Sequence, residues 1–289
     1  MSRRILTTAG LFRDALQRCF KHNTSLLSAA LAFYALLSLA PALYFVVSAA
    51  GIVIGRRAAR GEVVAWSTQM LGPGGTRFIS EILDRGVGGG SFATIAGVVS
   101  LAYGATVVFG ALQDALNLVW EVPPSERGYI KQFFFKRLVS FVAVMLVGVL
   151  LLISLLTDAI TSAAGKLMPQ SLPATQFLLQ SANFAASLIL VTVLFALLYR
   201  VLPDSWVAWP DVWMGAAITA LLFSVGKALI GLYLGRTTTS SPFGAAGSIV
   251  IFLLWVYYSA QIFLFGAEFT EVYAVARRAR GAAQPETTS

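Results

Sequence analysis

Asp114, Lys227 and Glu268 are ionisable residues at the ends or inside of apolar runs. A carboxylate in such a place can accept a proton or a cation, and an amine can hold an anionic headgroup or substrate. Polar groups accompany them in stripes. Thr24, Leu27, Leu31, Tyr34, Ser38, Pro41, Phe45 and Ser48 follow one another at steps of three and four, which is one side of a helix. Tyr103, Thr106, Gly110, Gln113 and Asn117 make a second stripe, with Asp114 beside it. Tyr257, Gln261, Leu264, Glu268 and Glu271 make a third. Such stripes wall a hydrated groove, or they are helix–helix seams. Pro41 offers no N–H to the carbonyl of Leu37, so a kink is expected there, turned toward other helices and away from lipid.

Asp114 and Glu268 each follow a Phe-Gly-Ala step, Phe109 to Ala111 and Phe265 to Ala267. Two readings stand. They are solvated helix ends paired with loop Arg or Lys, or an acidic cytoplasmic mouth to a pathway. Lys227 lies about 6 Å outward from the middle of its apolar run. A lysine there costs about 3 kcal/mol on insertion scales. It snorkels, pairs with a carboxylate such as Asp158, or serves an anionic headgroup or substrate. Arg127, Lys131, Lys136 and Arg137 would gather anionic headgroups at the inner leaflet, at about 1 kcal/mol each.

The elements that must position these groups are long and apolar. Of 289 residues, 57% are hydrophobic and 12% charged, with mean hydropathy +0.78. Soluble domains carry about 25% charged residues, so the chain is expected to be an all-α integral membrane protein. Six transmembrane helices are expected, near Leu26–Gly55, Phe92–Asn117, Leu138–Thr157, Phe177–Leu198, Val212–Leu234 and Gly247–Ala267. With the N-terminus inside, 13 of the 21 Lys and Arg residues fall in inner segments and seven in outer ones, the last being Lys227. That bias puts both termini in the cytoplasm.

Residues 1–24 read as a cytoplasmic amphipathic segment. Leu11, Phe12, Ala15, Leu16, Cys19 and Phe20 share one face, opposite Arg13, Asp14, Gln17, Arg18 and Lys21, which predicts an amphipathic interfacial helix lying on the inner leaflet. Residues 25–275 read as the membrane domain, and 276–289 as a disordered cytoplasmic tail. The first outer loop, Arg56 to Gly90 and periplasmic on this topology, is expected to form two short helices half-sunk in the outer leaflet, broken at Gly72-Pro73-Gly74-Gly75. A soluble loop cap is the alternative.

The net charge of +8 matches basic residues flanking membrane spans. They are scattered among loops, with no stripe interleaved with aromatics for nucleic acid. Cys19 and His22 are the only cysteine and histidine. No intrachain disulfide, metal site or cofactor is expected. Membrane lipids are the expected partners, and the sequence sets no oligomeric state.

Four stretches carry a resemblance. They are SAALAFYALLSLAP (Ser28 to Pro41), FGALQDALNLVWEVP (Phe109 to Pro123), YRVLPD (Tyr199 to Asp204) and the run from Phe243 to Ala274. Their order and spacing resemble the YihY/BrkB family of bacterial inner-membrane proteins. The family pattern falls on Ser28, Tyr34, Ser38, Pro41, Gly110, Asn117, Pro203, Asp204, Gly247, Gly266 and Glu268. The resemblance implies a six-helix inner-membrane domain. It links some members to serum resistance and to export of lipid-like molecules. An old ribonuclease label for the family is regarded as mistaken.

A transporter or flippase of amphiphiles is therefore expected, with a non-transport envelope scaffold as the alternative. No glycine loop ending in Gly-Lys-Ser or Gly-Lys-Thr is present, so transport would use an ion gradient, a partner or a downhill path. Metal-assisted phosphodiester hydrolysis wants clustered carboxylates or histidines, and the 13 acidic residues are mostly spread among loops. An enzyme is not expected.

Overall fold

The computed structural model describes residues 8–85, 91–123, 173–205, 207–237 and 244–282. Among these the chain is all helical. The helices are α1 (Thr8–Lys21), α2 (Thr24–Ile54), α3 (Arg56–Arg85), α4 (Ser91–Val119), α5 (Pro173–Val201), α6 (Trp209–Thr237) and α7 (Gly244–Ala282). Five of the six spans expected from sequence fall within α2, α4, α5, α6 and α7. The third, at 138–157, lies outside the described residues. By length and composition, Phe184–Val201 and Ile249–Arg280 are each sufficient to cross a membrane. The bent pair Gly10–Lys21 and Thr24–Ala40 is a third when taken as one span.

Local chemistry sets the breaks. Asn23 takes a left-handed conformation (φ 50°, ψ 46°), which an asparagine tolerates, and so separates α1 from α2. Its carbonyl then accepts from the N–H of Leu26 at 2.9 Å and starts α2. Gly55 closes α2 at φ 86°, donating its N–H to Gly51. At the end of α4, Val122 donates to the carbonyl of Asn117 (2.9 Å) and Glu121 to that of Leu118 (3.1 Å). This is a Schellman closure, with Glu121 at φ 49° where glycine is usual. In α6, Pro210 and Asp211 occupy the first turn, where a missing N–H and a negative charge both suit a helix start.

The described residues fall into two compact units. One draws on α1 through Arg18, the end of α4 from Leu116, α5, α6 through Leu222 and α7 from Phe265. The other draws on Cys19–Ala115 and Phe223–Leu264.

In the second unit α3 is not a straight rod. Arg60 pairs with Asp84, 24 residues on, which a straight helix would hold about 36 Å away. The hydroxyls of Thr68 and Thr76 lie 2.9 Å apart. The helix therefore doubles back between these threonines, where the sequence places Gly72-Pro73-Gly74-Gly75. The two-piece reading holds in shape, with helical turns continuing through the bend. Ile79 and Leu83 of the returning arm pack with Leu43 of α2 and Phe252 of α7 into a buried core.

On α2, Thr24, Ser28 and Leu31 are buried, while Leu26, Phe33 and Leu37 on the other side are exposed. From Thr24 to Ser38 the stripe read from sequence is thus the more buried side. Ser38 lies against Gly104 of α4, where an added Cβ would come within 2.9 Å of the serine Cβ. Hydroxyls along the helices bond back to their own backbone, as Ser28 does to Thr24 (2.7 Å) and Ser38 to Ala35 (3.1 Å).

α1 differs from its expected facing at Arg18. Leu11 and Ala15 are buried, but Phe12, Leu16 and Phe20 are exposed, Phe20 at 79%. The apolar face is split because the docked stripe is Leu11, Ala15 and Arg18, at steps of four and three. A residue assigned to the polar side is therefore turned into the protein.

Candidate functional site

Glu268 sits in α7 with no solvent exposure, and its partner is Arg18 of α1. The Arg18 Nε donates to Glu268 Oε2 at 3.0 Å, and Nη2 donates to the carbonyl of Val119 at 3.2 Å. Glu121 offers Arg18 a second carboxylate at 3.7 Å. Glu271, three residues beyond Glu268, lies in the field of the same guanidinium and of Arg278. Beside the pair the rings of Phe12 and Phe265 meet at 4.8 Å. One cation thus joins α1, the end of α4 and α7. Removing one partner of a buried pair leaves an uncompensated charge, at a cost of about 3–5 kcal/mol. Of the reading of Glu268 as a solvated helix end paired with a loop Arg or Lys, the pairing with an arginine is seen, on helix α1 rather than a loop, while the solvation is corrected by the burial of the carboxylate.

α6 and α7 meet through a reciprocal seam. A Cβ on Gly266 would lie 1.7 Å from Thr219 Oγ1 and 2.5 Å from Tyr199 Oη, and one on Gly215 would lie 1.7 Å from Thr270 Oγ1. Each threonine therefore fills the gap over the other helix's glycine. Thr219 and Thr270 donate back to Gly215 and Gly266, both at 2.7 Å. Tyr199 of α5, fully buried, shares a 3.0 Å hydrogen bond with Thr219. At one end of this seam Arg277 donates to the buried Asp211 at 2.9 Å.

Asn117 is clasped by Asp204. Its Nδ2 donates to Asp204 Oδ2 at 2.9 Å, and the Asp204 N–H donates to Asn117 Oδ1 at 2.8 Å. Nearby, Arg200 donates to the Val207 carbonyl and lies 5.8 Å from the Trp209 ring centre.

The sequence-derived positions are distributed over both units. Glu268 and Asn117 belong to the first. Tyr34, Ser38, Pro41, Tyr103, Gln113, Asp114, Lys227, Tyr257 and Gln261 belong to the second. Tyr34 and Ser38 are half-buried, Gln113 is buried, and Asp114 is exposed. Gln261 Nε2 donates to Tyr257 Oη at 2.8 Å, one turn away on α7. Lys227 is exposed on α6. α2 and α4 run helically through Pro41 and Tyr103. Arg127, Lys131, Lys136, Arg137 and Asp158 lie outside the described residues.

Sequence reasoning missed Arg18 as a site residue, and with it the Gly215–Thr219 and Gly266–Thr270 seam. The seam had a legible signal: Gly-x-x-x-Thr occurs in both helices, the small-residue spacing that lets helices approach closely.

A family model described as "Virulence factor BrkB" matches residues 15–289. The chain belongs to the BrkB family. Similar BrkB-type relatives are described as UPF0761 membrane proteins. One from Ralstonia nicotianae is 26% identical over 93% of this chain and 59% of its own. One from Alkalilimnicola ehrlichii is 32% identical over 73% of this chain and 47% of its own. One from Alteromonas mediterranea is 26% identical over 90% of this chain and 86% of its own. This BrkB chain spans less than two thirds of the length of the first two. No solved structure matches it. It is a membrane protein of this family with apolar helices.

Proposed function

We propose that the protein moves an amphiphilic, lipid-like substrate across the bacterial inner membrane and is not an enzyme. In this reading six helices cross the bilayer, both termini are cytoplasmic, and α1 lies along the inner leaflet. Phe12, Leu16 and Phe20 then enter lipid. The observation carrying the proposal is the Arg18–Glu268 pair. Ionisable groups retained among apolar helices mark pathways and switches by default. Arg18 has two carboxylates within reach, at 3.0 and 3.7 Å, which suits a gate with alternative closures.

The test is flux in liposomes. Purified protein should move fluorescent phospholipid faster than empty vesicles, and Arg18→Ala should change that rate at equal protein incorporation. No movement of lipids or ions above empty vesicles would end the transport reading.

A second reading is a non-transport scaffold for the envelope. The Gly–Thr seam and the Ser38–Gly104 contact favour it, since both are close helix packing with hydroxyls already bonded to backbone.

A further inference from the structure

The chain carries no Asp, Glu, Lys or Arg between Lys21 and Arg56, the stretch that holds α2. It carries none between Arg236 and Glu268, the stretch that opens α7. Phe252 is the middle residue of the second stretch, and Leu43 lies about 7 Å along α2 from the middle of the first. A hydrocarbon core of about 30 Å centred on these stretches encloses both residues. Ile79 and Leu83 of α3 share a buried core with these two residues. Val63, Val64, Phe78 and Ile82 of the same hairpin pack against it. The hairpin therefore lies level with the middle of the apolar helices, deeper than a loop resting among headgroups.

The other side of its returning arm is charged. Arg77, Glu81 and Asp84 recur at steps of four and three, opposite Ile79 and Leu83. All three are exposed. Asp84 meets Arg60, which follows closely on Gly55 where α2 ends, so the base of the hairpin is near that end of α2. Arg77 lies about 10 Å farther along the arm, toward the bend. Charged side chains turned to hydrocarbon at this level are costly, and the bend leaves backbone groups that lipid cannot satisfy. Both are tolerated where the segment lines water.

We infer that α3 is a re-entrant hairpin and that Arg77, Glu81 and Asp84 line a water-filled vestibule. It opens on the side of the bilayer where α2 ends and reaches the level of Leu43 and Phe252. The stripe carries both signs of charge, which suits water as its occupant better than an ion of one sign. The inference rests on the transport reading for its purpose, an aqueous path for a polar headgroup over part of the membrane. Its geometry is tested without flux.

The experiment is spin-label accessibility by electron paramagnetic resonance, on the full chain with Cys19→Ser in phospholipid vesicles. Nitroxides are attached after Arg77→Cys, Glu81→Cys, Leu37→Cys or Leu254→Cys. Leu37 and Leu254 are exposed near the middles of the two charge-free stretches and serve as depth references. Collisions with a water-soluble nickel chelate are compared with collisions with oxygen, which concentrates in lipid. Labels at positions 37 and 254 should meet oxygen and exclude nickel, while those at 77 and 81 should meet nickel several-fold more often. Nickel reaching 37 and 254 as freely as 81 would put the whole core outside the hydrocarbon and overturn the re-entrant hairpin. Labels at 77 and 81 that meet oxygen and exclude nickel would overturn the vestibule. The expected pattern without lipid flux in liposomes keeps the vestibule and removes the transport reading.

Discussion

Asp204 holds Asn117 with two hydrogen bonds of 2.8 and 2.9 Å, one through its backbone and one through its carboxylate. The pair ties the turn after α5 to the last turn of α4, 87 residues away in sequence. Asn117 also supplies the carbonyl that closes the α4 terminus. One residue therefore finishes its own helix and anchors another segment.

The two side chains should consequently behave as a unit. Asn117→Ala and Asp204→Ala should each lower thermal stability in detergent. The double variant should fall short of the sum by about 1 kcal/mol, the coupling typical of residues in direct contact. A strictly additive pair would mean the clasp contributes nothing in solution.

Gly266→Ala should be far more damaging than its single methyl suggests. The new Cβ meets Thr219 Oγ1 and Tyr199 Oη inside contact distance, and overpacking costs about 1–3 kcal/mol. Adding Thr219→Ala should restore part of the loss in a thermal melt, because the closest atom is then gone. Gly110→Ala is the control: an added Cβ there meets nothing within 4 Å, so the melt should hold or rise.

Arg18→Ala should destabilise by about 3–5 kcal/mol, since it leaves the buried Glu268 carboxylate alone, and Glu268→Ala should cost less, since Arg18 is partly exposed and keeps Glu121 and the Val119 carbonyl. Replacing both, as Arg18→Met with Glu268→Leu, should cost much less than Arg18→Ala, read from denaturation of folded protein in detergent. If that double variant melts at wild-type temperature and still moves lipid at the wild-type rate, the pair is packing and not a gate.

Cysteines replacing Thr68 and Thr76, in a Cys19→Ser background, should form a disulfide under mild oxidation. A straight helix would put these positions about 12 Å apart and prevent it. Mobility on a non-reducing gel with thiol counting reads the outcome directly.

Much of this architecture was readable without coordinates. Unbroken apolar runs define α2, α4, α5, α6 and α7, because in lipid a helix is the simplest way to satisfy every backbone group. The Gly72–Gly75 cluster marked the bend in α3. The stripe through Thr24 and Ser38 pointed inward, as a helix phase dictates. The failures were of another kind. Arg18 and Glu268 are 250 residues apart, and no local period reveals a partner at that range. On α1, Arg18 was assigned to the polar side because periodicity weighs hydrophobicity alone. A buried carboxylate on another helix outweighed it and turned Arg18 inward. Glu121 in a left-handed turn is likewise unreadable, since glycine is the usual occupant and only the Arg18 nearby gives a charged residue a reason to be there.

The reversal inside α3 bears on how the chain is threaded. A 30-residue helical segment is long enough to be counted as one more passage through a bilayer. Folded in half, it returns the polypeptide beside its point of departure, as the meeting of Arg60 with Asp84 requires. Each arm is then about half of the 30 residues, roughly 22 Å of helix, and neither alone reaches across a hydrocarbon core of about 30 Å.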